Sequence, residues 1–215
     1  MKHKSYYYIV LSILFLTVSL DVLAQSTDRL QQSFALHVGY GNMVKGTDGL
    51  TNSSSGYKDQ LLQGFSWDAQ YYFRPIKVLG IGLLYSGYTS DGSHEEGSDH
   101  LYTHYLAPQI GLYAVSTDYF TLRFNLGVGG MFYRNNSEVF GKERRVKGAS
   151  IAANVGVNAA YHFTRNWAIE ADIQYVPSQL GRFHSHYHDE KVTVKFPDGL
   201  SVSRLNLSAG LSYSF

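Results

Sequence analysis

The chain has 215 residues, with 18 Lys and Arg against 17 Asp and Glu, and it contains no cysteine. Disulfides, thiolate metal sites and an N-terminal lipid anchor on cysteine are therefore excluded, and the near-zero net charge argues against a nucleic-acid partner. Tyrosine (18) and glycine (21) are abundant whereas proline (4) is scarce, a composition typical of β-strands joined by tight turns.

The first 24 residues have the pattern of a cleaved export signal. A basic start at residues 2–4 precedes an apolar run from Tyr6 to Leu20, and Val22-Leu-Ala24 fits a small-residue cleavage site. The run is about fifteen residues long, shorter than the roughly 20 that a membrane-spanning helix needs. We therefore predict cleavage after Ala24, a short periplasmic segment over 25–33 and one domain over 34–215.

Strict alternation of apolar and polar residues then recurs along the chain, and this is the period of a β-strand with two unlike faces. It predicts eight strands, near residues 34–42, 64–73, 78–89, 101–113, 119–133, 149–163, 167–176 and 201–215. A count of ten stays open if 191–196 joins the sheet as a strand of its own.

The connections between these strands alternate between short and long. Residues 74–77, 114–118 and 164–166 are tight turns, whereas the long connections cover residues 43–63, 90–100, 134–148 and 177–200. Gly141-Lys142 and Pro197-Asp-Gly199 are turn signals within two of the long connections. We therefore expect two tall hairpins that carry strands five to eight beyond a bilayer.

Charges decide which strand face points inward. One face carries mid-strand charges among glycine, asparagine and serine, namely Asp68, Arg123, Glu170, Asp172 and Arg204. A charge facing lipid costs roughly 2–4 kcal/mol for Arg or Lys at the bilayer midplane, whereas an eight-stranded barrel has an interior that side chains can fill. We predict that these residues form a lumen network of ion pairs that rigidifies the barrel. The alternative is that they line a gated ion path.

The aromatic residues also fit this assignment of the inward and outward faces. Five tyrosines share the inward face and would fill the lumen: Tyr72, Tyr88, Tyr105, Tyr113 and Tyr133. The apolar face carries aromatic residues near both strand ends, as the interfacial girdles of a membrane barrel do. The last strand alternates from Leu205 up to a C-terminal aromatic residue, Phe215.

The export signal, the strand count, the turn asymmetry and Leu211-Ser-Tyr-Ser-Phe215 together resemble the small eight-stranded outer-membrane barrels of the OmpA, OmpX and OmpW type and single-domain porin-family proteins. The resemblance implies an all-β, antiparallel up-and-down transmembrane barrel in the outer membrane. It also implies short periplasmic turns, long extracellular loops and Phe215 as a signal for the barrel assembly machinery. Outer-membrane lipid and lipopolysaccharide would surround a monomer.

The last long connection holds a candidate metal site. His184, His186 and His188 alternate, so on an extended segment they share one face, and with Asp189 or Glu190 they could hold Zn²⁺ or Cu²⁺. The alternative is a polar surface loop that holds no metal.

The second and third long connections have opposite charge. Asp91, Glu95, Glu96 and Asp99 lie in the second, and Lys142, Arg144, Arg145 and Lys147 accompany Glu143 in the third. These residues could pair across the barrel mouth, contact lipopolysaccharide phosphates or remain solvated.

The functional prediction is a structural, adhesive or partner-recognition role carried by the extracellular loops. A narrow porin-like channel for small solutes is the alternative; a lipid A-modifying enzyme and a soluble lipocalin-like periplasmic binder rank below it. Lipid A deacylases would need a His-x-Ser pair with a carboxylate to orient the His, and no predicted strand has such a pair. Hence we predict no catalytic activity and no cofactor.

Overall fold

The computed structural model describes residues 32–44, 60–94, 97–139, 142–187 and 190–215; within these ranges the side chains of 94, 139, 142, 182–187 and 190–199 are not described. The export signal and residues 25–31 lie outside the described part, so cleavage after Ala24 stays a prediction. No helix among the described residues is long and apolar enough to cross a membrane.

Ten strand segments follow one another along the chain, two of which, the eighth and the ninth, lie in a region that the sequence predicted as a long connection. They are β1 (Gln32–Met43), β2 (Gln63–Ile76), β3 (Leu79–His94), β4 (Gly97–Ser116), β5 (Phe120–Val139), β6 (Lys142–His162), β7 (Trp167–Val176), β8 (Gln179–Tyr187), β9 (Glu190–Ser201) and β10 (Arg204–Ser214).

Eight of these segments close into a barrel. The strands β1 to β7 pair antiparallel in chain order, and β10 pairs with both β7 and β1. Closure gives each strand two partners, as lipid requires, because a bilayer offers no water to an unpaired N–H or C=O group. The predicted eight-stranded, antiparallel up-and-down barrel is confirmed.

The remaining two segments prolong barrel strands above the ring. Ser178 bridges Ala152 on β6 just beyond β7, and β8 then pairs with β6 over Arg144–Gly148. Along its other edge β8 pairs with β9, which leads into β10. The ten segments are therefore eight tall strands, two of them interrupted, and residues 191–196 belong to the extension of the last strand.

Most of the long connections are hairpins rather than loops. β3 and β4 pair up to His94 and Gly97, and β5 and β6 pair up to Val139 and Lys142. Lys142 is thus paired within β6, whereas the prediction assigned it to a turn with Gly141, which lies outside the described residues.

The predicted turn at Pro197-Asp-Gly199 is wrong. These residues lie inside β9, where the pairing shifts from Leu180–Leu200 to Arg182–Lys195 and so accommodates the extra residues as a bulge. Proline is tolerated at bulges because it has no N–H to contribute to the ladder. Long-range register thus overrides the local turn signal, and β8 and β9 pair up to Tyr187 and Glu190.

The outward faces of the ring strands form an apolar belt. On β5 this belt runs from Phe120 to Phe132, and its middle residue, Leu126, is 60% exposed. Aromatic residues mark both edges: Tyr71, Phe120, Tyr161, Phe163, Trp167, Tyr213 and Phe215 at the short-turn end, and Tyr40, Phe65 and Tyr85 toward the other. Exposure of this much apolar surface requires a lipid environment, and a lipocalin-like barrel would instead bury it.

The interior changes character along the barrel axis. The half near the short turns is polar, whereas a hydrophobic core, here called the apolar cap, fills the half near the tall hairpins. Its members include Met43, Leu84, Tyr88, Leu101, Tyr105, Met131, Tyr133, Val146, Val176, Leu180, Leu200 and Val202. The inward tyrosines Tyr88, Tyr105 and Tyr133 were predicted to fill the lumen, whereas the aliphatic side chains and Met131 that pack with them were not predicted.

A charge placed in the apolar belt tests the orientation. We expect Leu126→Arg to lower the free energy of unfolding in lipid vesicles by about 2–4 kcal/mol, because Leu126 lies midway along the belt. Asn136→Arg, on the same outward face of β5 but above the belt, should cost about 1 kcal/mol or less. Urea titrations of the two variants measure the difference; equal losses would contradict the assigned membrane position.

Candidate functional site in the barrel interior

The strand pleat directs the predicted lumen charges into the barrel. Asp68 lies on β2, Arg123 on β5, and Glu170 and Asp172 lie two residues apart on β7, so each occupies an inward position of its strand. Arg204 begins β10 and is fully buried. All five side chains are at most 5% exposed.

A histidine on β1 bridges two of the buried carboxylates. The Nδ1 atom of His37 lies 2.7 Å from an oxygen of Asp68, and its Nε2 atom lies 3.0 Å from an oxygen of Glu170. The imidazole is 2% exposed and therefore exchanges water for two carboxylate partners. This acid–imidazole–acid triad links β2, β1 and β7 across the lumen.

The geometry of the triad fixes its proton count. An ionised carboxylate only accepts hydrogen bonds, so two ionised partners require both nitrogens of His37 to carry protons. If the imidazole is neutral, one carboxyl group must carry the second proton. Both arrangements give the triad a net charge of −1, and both place two protons between Asp68, His37 and Glu170.

Two amides extend the triad to the remaining carboxylate. The amide nitrogen of Gln70 donates to Asp68 at 3.0 Å and to Asp172 at 3.4 Å. The Asn158 amide donates to Glu170 at 2.8 Å and to Asp172 at 3.3 Å. Neutral donors thus separate three acidic groups that would otherwise repel one another at close range.

Arg123 joins this network through an amide and an aromatic ring. Its guanidinium donates to the Gln70 oxygen and to the Asn125 oxygen, each at 2.9 Å, and lies 3.9 Å from the centre of the Tyr72 ring. Gly111 makes room for this stack, since a Cβ there would lie within 2.9 Å of both Tyr72 and Arg123.

Arg204 has a separate set of hydrogen-bond partners and lies directly beneath the apolar cap. One terminal nitrogen donates to the Ser86 carbonyl at 3.0 Å and to the Ser86 hydroxyl at 2.9 Å, and the other donates to the Thr103 hydroxyl. The Tyr88 ring centre is 5.9 Å from the guanidinium carbon. No hydrogen bond or ion pair in the described part of the chain joins this arginine directly to an acidic residue, but its partner Ser86 lies opposite Asp68 in the β2–β3 pairing.

The network therefore differs from the predicted set of direct ion pairs. In the described part of the chain, neither Arg123 nor Arg204 forms an ion pair with a carboxylate, and His37 supplies the close charged contacts. The sequence analysis did not single out His37, although the alternation of β1 places it on the inward face. Its position among Ala35, Gly39 and Gly41 on the inward face was the available signal, because small neighbours leave space for long partners from other strands.

The lumen narrows toward the short-turn end to a small cavity. A space of about 40 Å³ opens there between Arg74, Arg123, His162 and Glu170. The apolar cap covers the network on the other side. The inward tyrosines Tyr72, Tyr88, Tyr105, Tyr113 and Tyr133 are all at most 7% exposed and fill the space between the strands.

The candidate metal residues are only partly described. The backbones of His184 and His186 lie in β8 opposite Lys147 and Arg145, while their side chains and all of His188 are outside the described residues. Elsewhere in the described part, no group of three or more His, Asp and Glu residues could hold a metal ion. The metal site remains a prediction.

The C-terminal residue closes the barrel seam. Phe215 donates its N–H to the Gln32 carbonyl at 2.9 Å and accepts the Gln32 N–H at 3.2 Å, and its exposed ring stacks on Tyr213. The last residue is thus fixed at the membrane edge by β1. Its part in assembly stays a prediction.

Comparison with known proteins supports this architecture. Residues 10–215 match the model of the outer membrane protein beta-barrel domain family, and no curated protein sequence matches the chain.

Solved structures resemble the chain at low sequence identity. Ail, the attachment invasion locus protein of Yersinia pestis, is 14% identical with a TM-score of 0.52, covering 87% of this chain and 99% of Ail. Neisserial surface protein A is 17% identical with a TM-score of 0.52, covering 86% and 97%. A major outer membrane protein from Thermus thermophilus is 15% identical with a TM-score of 0.58, covering 86% and 99%. These likenesses show the shared fold.

Removing the bridging imidazole tests the network. We expect His37→Ala to destabilise the barrel by about 3–5 kcal/mol, because two buried acidic groups lose their shared partner. Adding Glu170→Gln should recover part of this loss, since one of those groups becomes neutral.

His162→Ala is the matched control for the same measurement. This buried histidine contacts the Thr121 hydroxyl at 2.9 Å, and its replacement should cost about 1 kcal/mol. Denaturant unfolding in lipid vesicles compares the variants. Equal losses for His37→Ala and His162→Ala, or no recovery in the double variant, would contradict the bridge.

Proposed function

Because the chain belongs to the outer membrane protein beta-barrel domain family, we propose that it is a non-conducting outer-membrane scaffold that presents a folded extracellular platform for partner recognition. The platform comprises the strand extensions above the apolar belt, from β3–β4, β5–β6 and β8–β9. The observation that carries the proposal is the apolar cap, which continues from the barrel into this platform.

The extensions are long enough to form a platform outside the membrane. β5 continues for seven residues beyond Phe132, from Tyr133 to Val139. At about 3.4 Å per residue these seven residues extend about 24 Å along the strand. The hairpin of β8 and β9 accompanies β6 over the same height.

The apolar cap extends into the platform. Leu101, Val146, Leu180, Leu200 and Val202 are each at most 5% exposed and belong to the apolar cap. Buried aliphatic side chains hold the hairpins in one arrangement, which favours a surface ready to bind a partner without ordering first. A set of flexible loops would need no such core.

The same apolar residues argue against the alternative of a narrow channel. Tyr88, Tyr105 and Met131 are fully buried beneath the platform. The Tyr88 ring lies beside the guanidinium group of Arg204. Ions that cross such an interior would lose their hydration without gaining polar partners. Channel function therefore ranks second, and absence of catalytic activity remains our prediction for this chain.

Adhesion is one form that the recognition could take. Ail is named as an attachment invasion protein, and another structure of it holds the heparin analogue sucrose octasulfate. For the present chain the partner class remains to be found by experiment, and the platform is the surface on which we propose it binds.

Measurement of conductance distinguishes the proposed scaffold function from the alternative of a channel. We expect the refolded barrel to give no steady current in planar bilayers, because the apolar cap seals the lumen. The variant Tyr88→Ala/Tyr105→Ala/Met131→Ala should show openings, which demonstrates that the assay can detect them. The outward substitution Phe124→Ala should stay silent. Large, reproducible openings of the unmodified barrel would reverse the ranking.

Shortening the platform tests recognition. In one variant, an Asn-Gly turn replaces residues 135–146, so that it directly follows the Arg134–Lys147 pair. A second Asn-Gly turn in the same variant replaces residues 183–194, after the Arg182–Lys195 pair. Cells that display this variant should attach to matrix glycoproteins and sulfated glycans no better than cells without the barrel.

Cells that display the intact barrel should attach more strongly than cells that display the shortened variant. The control variant, in which Gly-Ser-Gly replaces residues 164–166 at the periplasmic end, should attach as the intact barrel does. Heat-modifiable gel migration shows whether each variant is folded. Equal attachment by the shortened and intact barrels would overturn the platform proposal.

A further inference from the structure

A groove of about 570 Å³ lies on the outer surface of β4, β5 and β6, at the upper edge of the apolar belt. Most of its lining side chains lie on the outward strand faces, although Tyr133 of the apolar cap also borders it. We call it the interfacial groove, and its lining includes Tyr102, His104, Phe132, Arg134, Asn136 and Lys147.

Three of these residues form a single cross-strand row. Tyr102 pairs with Arg134, and Arg134 pairs with Lys147, on three neighbouring strands. Directly opposite residues of adjacent strands have Cβ atoms about 4.5–5.5 Å apart. A ligand in the groove therefore meets two adjacent cations and an aromatic ring at one height.

The charges nearest the lipid are positive. Moving up the outward face of β5 beyond Phe132, the residues are Arg134, Asn136 and Glu138; on β6 beyond Ala149 they are Lys147, Arg145 and Glu143. The first charge on each strand is thus a cation and the acidic residue is the farthest of the three. None of the described residues that line the interfacial groove carries a carboxylate.

Contacts around the interfacial groove hold its side chains in place. The Nε atom of Arg134 donates to the Asn136 oxygen at 3.1 Å, which uses one of its five donors and orients the rest of the fork. At the lower rim, His104 lies 2.8 Å from the Tyr85 hydroxyl, and its ring centre is 6.3 Å from that of Trp67. This aromatic rim marks the membrane boundary.

We propose that the interfacial groove binds the phosphate of an outer-leaflet lipid headgroup. Arg134 presents a fork that matches phosphate oxygens, Lys147 adds a point charge, and Phe132 contacts the start of an acyl chain. The phosphate is lipid-borne because the groove opens at the end of the apolar belt, where an anion attached to acyl chains gains both contacts. A free anion would gain only the charged one.

Of the basic residues that the sequence analysis named in the third long connection, this site includes Lys147 alone. Arg144, named with that loop, donates to the Ser137 hydroxyl at 3.3 Å and is half-buried, while Arg145 pairs with Glu143 at 3.4 Å. Arg134 is the first residue of the predicted connection 134–148, and the sequence alone did not indicate a role for it. The β-pairing of its neighbours places it next to Lys147.

Native mass spectrometry with bis-phosphorylated lipid A as the probe tests the proposal, using the full barrel refolded in maltoside micelles. We expect Arg134→Gln/Lys147→Gln to weaken lipid A binding by at least about tenfold, as two charge-assisted contacts are lost. The control Lys77→Gln/Arg165→Gln removes one Lys and one Arg, both exposed at the opposite end, and should change binding by less than about twofold.

Two further arms identify the ligand. In the first, dephosphorylated lipid A should bind the unmodified barrel as weakly as intact lipid A binds the double variant. In the second, millimolar inorganic phosphate should not displace lipid A from the unmodified barrel. Competition by inorganic phosphate, or equal losses in the two double variants, would overturn the proposal. Heat-modifiable migration reports folding; if the double variant does not refold, Arg134→Gln alone should weaken binding about threefold.

Discussion

A closed ladder of backbone hydrogen bonds is the constraint on which this structure depends. In lipid every N–H and C=O of the spanning segments must be paired within the protein, and eight antiparallel strands meet this need by closing β10 onto β1. Once the ladder is closed, the strand pleat decides every side chain's environment. One residue meets acyl chains and the next enters a lumen so narrow that it must be filled.

Filling that lumen determines what the barrel can do. Its periplasmic half contains acids and an arginine held by His37, Gln70 and aromatic rings, and its extracellular half contains aliphatic and aromatic side chains. The polar half is a set of mutually dependent contacts, in which the loss of one partner leaves a buried charge. The apolar half joins barrel and platform into one folded unit. Selection for a solute path would favour a wider or wetter interior, so the surface outside the membrane is where we place the activity.

The sequence predicted the barrel well because alternation is a local signal repeated eight times. It placed Asp68, Arg123, Glu170, Asp172 and Arg204 on the inward faces. Contacts across the lumen depend on which residues lie at the same height along the barrel axis. That height is set by the stagger, or shear, of strands that are far apart in sequence. The bridge from His37 to Asp68 and Glu170 joins positions up to 133 residues apart, so no local pattern reveals it. The tyrosines of the apolar cap were predicted to face inward, but its aliphatic members were not, because residues such as Leu84 stand singly among small or polar residues on the inward face of their strand.

Accessibility of one engineered thiol tests the sealed lumen most directly, since the chain has no cysteine of its own. Ser212 lines the small cavity at the periplasmic end. With Ser212→Cys barrels oriented in sealed vesicles, a charged thiol reagent should label the cysteine when added on the periplasmic side. Added on the platform side it should not, because the apolar cap and the network lie between. Rapid labelling from the platform side would contradict a closed barrel.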